Sequence, residues 1–312
     1  MKSKIQFILS MMIFGTIGLV VRYIDLSSSE RALLSSFIGC LFLLLIFFMM
    51  KKKISWNLVK ANALCLILSG IALGGNWIFL YQSYDHTTIA NATLGYYFAP
   101  VFVMILSPFV LREQLSIKKM VCIGVAIIGM LMILGEGVSA SGSEDLLGLT
   151  FGLIAAAFYA ALLLLNKFIK DMGKLELTII QLGTTTLLLM PYVFVTSGFG
   201  IFEVSSSSIP FILILGIINT GIGFWLFFSG MKGLRGQSIA MLSYVDPFVA
   251  ILISAIILQE QMTIVQMLGG VLLLGSTCVS EIRSDNSLNQ LMKTRLNKVN
   301  NSDGNKRNGS VL

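Results

Sequence analysis

Residues 97–120, YFAPVFVMILSPFVLREQLSIKKM, recur 147 positions later as residues 244–267, YVDPFVAILISAIILQEQMTIVQM. Eight of the 24 aligned residues are identical. The first copy carries three cations, where the second copy has uncharged side chains: Arg112, Lys118 and Lys119 against Gln259, Val265 and Gln266. The chain is therefore an internal duplication whose two copies differ in charge at the same end.

The duplication lies in a chain with the composition of a membrane protein. Hydrophobic residues make up 56% of it and charged residues 12%, and the mean hydropathy is +0.87. Soluble domains carry about 25% charged residues. Stretches long enough to cross the hydrocarbon region, about 20 apolar residues each, occur ten times. They are Ile5–Val21, Ala32–Met50, Ala63–Tyr81, Ile89–Leu111, Met120–Leu134, Leu146–Leu165, Leu177–Val195, Ile209–Phe228, Ile239–Leu258 and Val265–Val279.

The positions of the cations predict the orientation of these spans. If the N-terminus is cytoplasmic, 20 of the 22 lysines and arginines fall in cytoplasmic segments, and only Arg22 and Arg31 fall outside. Lysine and arginine are enriched in cytoplasmic loops, so both termini are predicted to be cytoplasmic. The net charge of +7 then reflects orientation and contact with lipid, and it gives no support for a nucleic-acid partner.

Five spans per copy is an odd number, so the second copy must enter the membrane from the opposite side. Inverted repeats of this kind are typical of secondary transporters, which bind their cargo near the midplane between the halves. Pro100 and Pro247 interrupt spans four and nine at matched positions. A proline cannot donate to the carbonyl four residues earlier, so the carbonyls of Tyr96 and Ser243 are free for a ligand or water. A packing kink is the alternative interpretation.

These residues resemble a known family. The ten spans, the Arg31-Ala32 start of span two, and the Pro then Leu-x-Glu pattern that closes spans four and nine are similar to EamA-type members of the drug/metabolite transporter superfamily. The resemblance implies two EamA repeats, at residues 1–141 and 142–283, and a small-molecule carrier with a central cavity. It does not imply which solute is carried. Residues 284–312, which are rich in asparagine and mixed charge, are predicted to be a disordered cytoplasmic tail.

Asp246 is the most specific chemical feature, because it is the only acid or base near the middle of a predicted span. A charged Asp there costs about 2.5–3.5 kcal/mol on insertion scales, so such a residue normally faces a cavity or a partner. Ser243, Asp246, Pro247 and Ser254 fall on one helix face, and the equivalent of Asp246 in span four is Ala99. Asp246 is predicted to bind a substrate ammonium or the coupling proton. A protonated Asp bonded to a neighbouring helix is the alternative.

Amide and aromatic side chains are predicted to complete the substrate-binding cavity. Spans three and eight occupy matching places in the two copies, and each carries an amide beside aromatic rings; tyrosines and a serine flank the two prolines. The candidates are Asn76, Trp77, Tyr81, Tyr96, Tyr97, Asn219, Trp225, Ser243 and Tyr244. Rings with polar tips suit planar or cationic ligands. The alternative is an interfacial position, which tyrosine and tryptophan also favour.

Other features predict little chemistry. His86 is interpreted as a solvated residue of an outer loop, and Glu113 and Glu260 are open to either helix capping or gating. No catalytic residue, cofactor or metal site is predicted. The predicted function is proton-linked efflux of a small metabolite, such as an amino acid, by a monomer or homodimer in the cell membrane. An importer or exchanger, a polytopic membrane enzyme and a passive channel are the alternatives.

Overall fold

The computed structural model describes residues 2–111, 117–140, 143–198, 204–231, 234 and 242–280. Within these ranges all regular secondary structure is helical. Glu113 and the predicted tail from Ser284 lie outside the described residues.

The helices follow one another with short connections, and two of them continue as π-helices. In chain order they are α1 (Lys2–Gly15), α2 (Ile17–Val21), α3 (Ser28–Met49), α4 (Trp56–Ala61), α5 (Ala63–His86), α6 (Ile89–Tyr96), α7 (Ala99–Leu111), α8 (Ile117–Ala140), α9 (Ser143–Asn166), α10 (Lys174–Ser197), α11 (Ile209–Leu213) with π-helix Ile214–Ile222, α12 (Gly223–Met231), α13 (Val245–Leu252) with π-helix Ile253–Ile257, and α14 (Ile264–Ser280).

Eight of the helical segments in the described chain are long and apolar enough to cross a membrane. The apolar helices Val245–Ile257 and Ile264–Ser280, which correspond to spans nine and ten, are shorter. The predicted all-helical membrane fold is thus confirmed. Ten crossings and cytoplasmic termini stay predictions.

Local sequence explains where several spans begin. Ser27 and Glu30 form a capping box at the start of α3, in which each side chain binds the other's backbone N–H. The Thr88 hydroxyl accepts from the N–H of Asn91 at 3.1 Å and so caps α6. Such caps satisfy N–H groups that have no partner within the helix.

The ends of several helices lie elsewhere than predicted. Asp85 and His86 belong to the last turn of α5, although His86 was expected in an outer loop, and Glu144 belongs to the first turn of α9. His86 and Glu144 approach to 3.5 Å. The predicted boundaries were too short because they followed hydropathy, whereas a helix continues past the membrane while its backbone bonds are satisfied.

The helices pair symmetrically across the two halves, defined as residues 1–141 and 142–283. Span one packs along span eight and span three along span six, and span two packs along span seven. Span one also packs against span nine, and span four against span six. Exchanging the halves converts each of these pairs into a member of the same set, with the pair of spans two and seven mapping onto itself. The packing is thus what a repeat would give, and the inversion of the repeat stays a prediction.

Spans four and nine are broken at matching positions. Span four breaks at Tyr97 and Phe98, between α6 and α7, and span nine breaks at Tyr244, immediately before α13. Pro100 and Pro247 each follow the break by three residues. Pro247 is buried and Pro100 is half-buried. The two copies therefore share a local irregularity as well as a sequence.

Candidate functional site

The two broken spans meet through one hydrogen bond. The Tyr97 hydroxyl, at the break in span four, donates to Asp246 Oδ2 at 2.5 Å, and Asp246 lies just after the break in span nine. Both residues are half-buried. Tyr97 and Asp246 come from different halves, and their contact joins the halves at the candidate site.

Asp246 has a neutral partner. Within the part of the chain that the structure describes, none of the ion pairs involves Asp246. Its equivalent in the first half, Ala99, is 1% exposed within an apolar cluster. A carboxylate inside a membrane bundle is costly unless it meets a cation or a proton. The arrangement therefore suits binding of a cationic group or a proton, and only one of the two halves provides it.

Tyrosine rings surround this carboxylate. The Tyr96 ring is perpendicular to that of Tyr97, with centroids 5.7 Å apart, and the Tyr159 ring lies 5.3 Å from Tyr96. Tyr84 also lies near Asp246. Phenol rings attract cations over their faces and offer hydroxyls at their edges. A protonated amine attached to an apolar group would be complementary to such a site.

Asn76 extends the site towards span six. Its amide nitrogen donates to the carbonyl of Ala155 at 2.9 Å, and its side chain lies beside Tyr96. Asn76 is 1% exposed. The bond fixes the orientation of the amide, which in turn positions Tyr96.

Trp77 and Tyr81 lie farther along span three. Their rings stack at 6.4 Å, and Tyr81 is buried near Ser35 and Arg31. The half-buried Trp77 packs against two apolar clusters.

The other predicted residues lie away from Asp246 or bond to other helices. Asn219 donates to the carbonyl of Ile13 at 2.7 Å and to Thr16 Oγ1 at 2.9 Å, and it thereby joins span eight to the break in span one. The Tyr244 hydroxyl bonds to Thr277 in span ten at 2.9 Å. Ser243, next to Tyr244, is half-buried. These contacts support the helix breaks, which shape the site indirectly.

Trp225 lines a separate cavity at the end of the bundle that carries the N-terminus. The cavity has a volume of about 580 Å³ and lies between the ends of spans two, seven and eight. Its lining includes Phe47, Lys52, Lys174, Glu176, Trp225 and Phe228. The N-terminal face of the bundle therefore has a cavity between the ends of spans two and eight.

Gly15, in the interior of span one, allows that span to lie against the site. A Cβ atom on Gly15 would be 2.7 Å from the backbone oxygen of Asp246 and 2.7 Å from Cβ of Val249. Only a residue without a side chain permits this approach. Span one is thus a wall of the site.

Two tyrosines outside the predicted set also lie around the site. Tyr84 lies near Asp246, and Tyr159 lies against Tyr96. Tyr159 occupies the centre of an apolar span, where a polar tip needs a partner, and that signal favours it. Tyr84 follows Tyr81 by three residues and so lies on the same side of span three, which helical spacing alone indicates.

Comparison with known proteins finds a transporter family and transporters of similar sequence. The profile of the EamA-like transporter family matches residues 1–135 and 146–281. An uncharacterized transporter of Bacillus subtilis (strain 168), YxxF, is 29% identical over 289 residues, which cover 92% of each protein. An uncharacterized inner membrane transporter of Salmonella typhimurium (strain LT2), YicL, is 25% identical over 293 residues, or 91% of this chain and 96% of the relative.

A solved crystal structure is similar in fold. It superposes with a TM-score of 0.60 at 17% sequence identity, and the match covers 91% of this chain and 98% of the other. At this identity the likeness concerns the fold alone.

Proposed function

Because the chain belongs to the EamA-like transporter family, we propose that it is a secondary active carrier that exports a small metabolite in exchange for protons. Its membership makes it a membrane transporter, and the resemblance drawn from the repeated motifs is confirmed. The predicted location, as a multi-pass protein of the cell membrane, is also confirmed. The solute, the direction and the coupling ion belong to the proposal.

The bond between Tyr97 and Asp246 carries the proposal. It joins the two halves at their matching helix breaks, and its acceptor is a carboxylate without a cationic partner among the described residues. In alternating access the halves move about a fixed site, so a group that binds proton and cargo belongs where the halves meet.

The chemistry of the site favours a solute with a protonated amine, such as an amino acid or a related compound. The ammonium would bind Asp246, and the rings of Tyr96, Tyr97 and Tyr159 would enclose the rest. A proton and the ammonium would compete for one carboxylate. Such competition couples the movement of the proton to that of the solute, because the carboxylate holds either one or the other in each half of the transport cycle.

A thermal-shift screen of the purified protein against the common amino acids and their amines tests the proposal. A ligand that binds the folded state at 100 times its Kd adds about 2.7 kcal/mol to stability. We expect at least one amine-containing compound to raise the Tm, and Asp246→Asn to abolish the rise. Glu144→Gln, which changes an exposed carboxylate, should leave the rise intact. An equal rise with Asp246→Asn would refute this site.

A further inference from the structure

The Glu260 carboxylate is held by several contacts at the face of the bundle opposite the N-terminus. One carboxylate oxygen accepts from the backbone N–H of Ile89 at 2.9 Å and from the Ser254 hydroxyl at 2.5 Å. The other oxygen pairs with Arg22 Nη1 at 2.6 Å. The Glu260 side chain is only 9% exposed. An exposed loop carboxylate would be largely hydrated, whereas this one is held by two hydrogen bonds and an ion pair.

Two of these three partners, Ile89 and Arg22, belong to the other half of the molecule. Ile89 begins α6, and its N–H is one of the groups at a helix start that have no partner within the helix. Arg22 follows α2, and its second terminal nitrogen donates to the carbonyl of Thr87 at 3.0 Å. Glu260 therefore caps span four in the first half, and Thr263 and Gln266 form the cap of its own following helix. Glu260 therefore does not cap the helix that follows it, which was one of the expectations for this residue.

The backbone beside Glu260 is strained. Gln259 has a φ of 54°, in the left-handed region that a side chain disfavours. The N–H of Glu260 donates to the carbonyl of Ser254 at 3.0 Å, which folds the connection back on span nine. A conformation of this kind persists only where surrounding contacts impose it. Here the left-handed residue and the backbone bond of Glu260 end span nine in the way helices commonly end, and this turn places the Glu260 side chain.

A second ion pair at the same face differs in kind. Arg31 pairs with Asp85, and Arg31 also donates to the carbonyl of Val21 at 3.2 Å. All three residues lie in the first half, so this pair holds one half together. The pair of Arg22 and Glu260 crosses between the halves, is the more buried of the two ion pairs that do so at this face, and must break if the halves separate there.

We infer that Glu260 is a latch that closes this face of the transporter, and that its release from Arg22 and Ile89 opens the Asp246 site there. The inference rests on the proposed alternating access. Arg22 is 31% exposed, so water reaches the pair and can replace Glu260 when the halves part. The cavity at the N-terminal face lies at the other end of the bundle, away from this pair.

Thiol labelling tests the latch without any solute. Thr93, one turn deeper in span four than Ile89, is 3% exposed, and Thr93→Cys reports opening of the latched face. Ser229→Cys, at the cavity of the N-terminal face, reports the other side. Each is labelled with a membrane-impermeant maleimide in nanodiscs, where both faces are accessible, and quantified by mass spectrometry of its own peptide.

Each reporter is then combined with Glu260→Ala. We expect labelling at position 93 to rise about tenfold or more, since charge-assisted hydrogen bonds of this type are lost, while labelling at position 229 stays equal or falls. Arg22→Gln, which keeps the bonds to Ile89 and Ser254, should give a smaller rise. Asp25→Ala, which removes an exposed acid at the same face, should give none.

Two results would overturn the latch. Unchanged labelling at position 93 in both the Glu260 and Arg22 variants would show that the pair closes nothing. A rise at both reporters would show general loosening of the fold. Because labelling needs no ligand, failure of the latch is distinguishable from failure of the proposed amine cargo, which the thermal-shift screen tests separately.

Discussion

Gly15→Ala is a sensitive test of how closely span one packs against the site. The added methyl would lie 2.7 Å from the Asp246 backbone oxygen and 2.7 Å from Cβ of Val249. Neither neighbour is the end of a flexible side chain, so the contact is relieved only by moving span one away from span nine. Overpacking of this kind costs about 1–3 kcal/mol.

The cost should appear as a lower Tm of the purified protein, followed by tryptophan fluorescence, and as weaker binding of any ligand at Asp246. Gly124→Ala is the matched control. A Cβ there meets nothing within 4 Å, and alanine is the better helix former by up to about 1 kcal/mol. We expect that variant to be as stable as the unmodified protein or more so. Equal stability and ligand affinity for Gly15→Ala would refute the packing described here.

Two further substitutions probe packing and buried polarity. Asn76→Ala leaves a carbonyl of span six without its donor and should lower the free energy of unfolding by about 1–3 kcal/mol. The control, Asn57→Ala on an exposed short helix, should change the Tm little. Similar Tm values for the two variants would contradict the role of Asn76. Gly269→Ala should lower stability by about 1–3 kcal/mol, because its Cβ would lie 2.6 Å from the carbonyl oxygen of Gly129. Gly275→Ala, which meets nothing within 4 Å, is the control, and an equal effect of both would count against close approach of spans five and ten.

The sequence was sufficient for the helical architecture because hydropathy and length determine which segments can cross a membrane. Eight spans met that criterion in the structure. The breaks in spans four and nine follow from proline, whose missing N–H acts locally. Asp246 stood out for the same kind of reason, since its cost depends on its depth in an apolar segment and not on its neighbours.

Contacts between helices distant in the chain could not be predicted. Glu260 binds Arg22, 238 residues away, and periodicity shows only which side of its own helix a residue occupies. The same limit applies to Asn219: its amide was expected at the substrate, and the structure places it on the backbone of span one. The partner that a long side chain contacts depends on which groups lie close in three dimensions, and the order of residues does not determine this.

The central claim is that Asp246 binds the proton and the cargo in turn. The direct measurement is solute-dependent proton movement in proteoliposomes with an imposed pH gradient, read by a pH-sensitive dye in the lumen, with the amine-containing compound that raises the Tm most. We predict that Asp246→Asn abolishes this movement, because the amide neither takes up a proton nor pairs with an ammonium, while Glu144→Gln retains it. Undiminished proton-coupled transport by Asp246→Asn would contradict the claim.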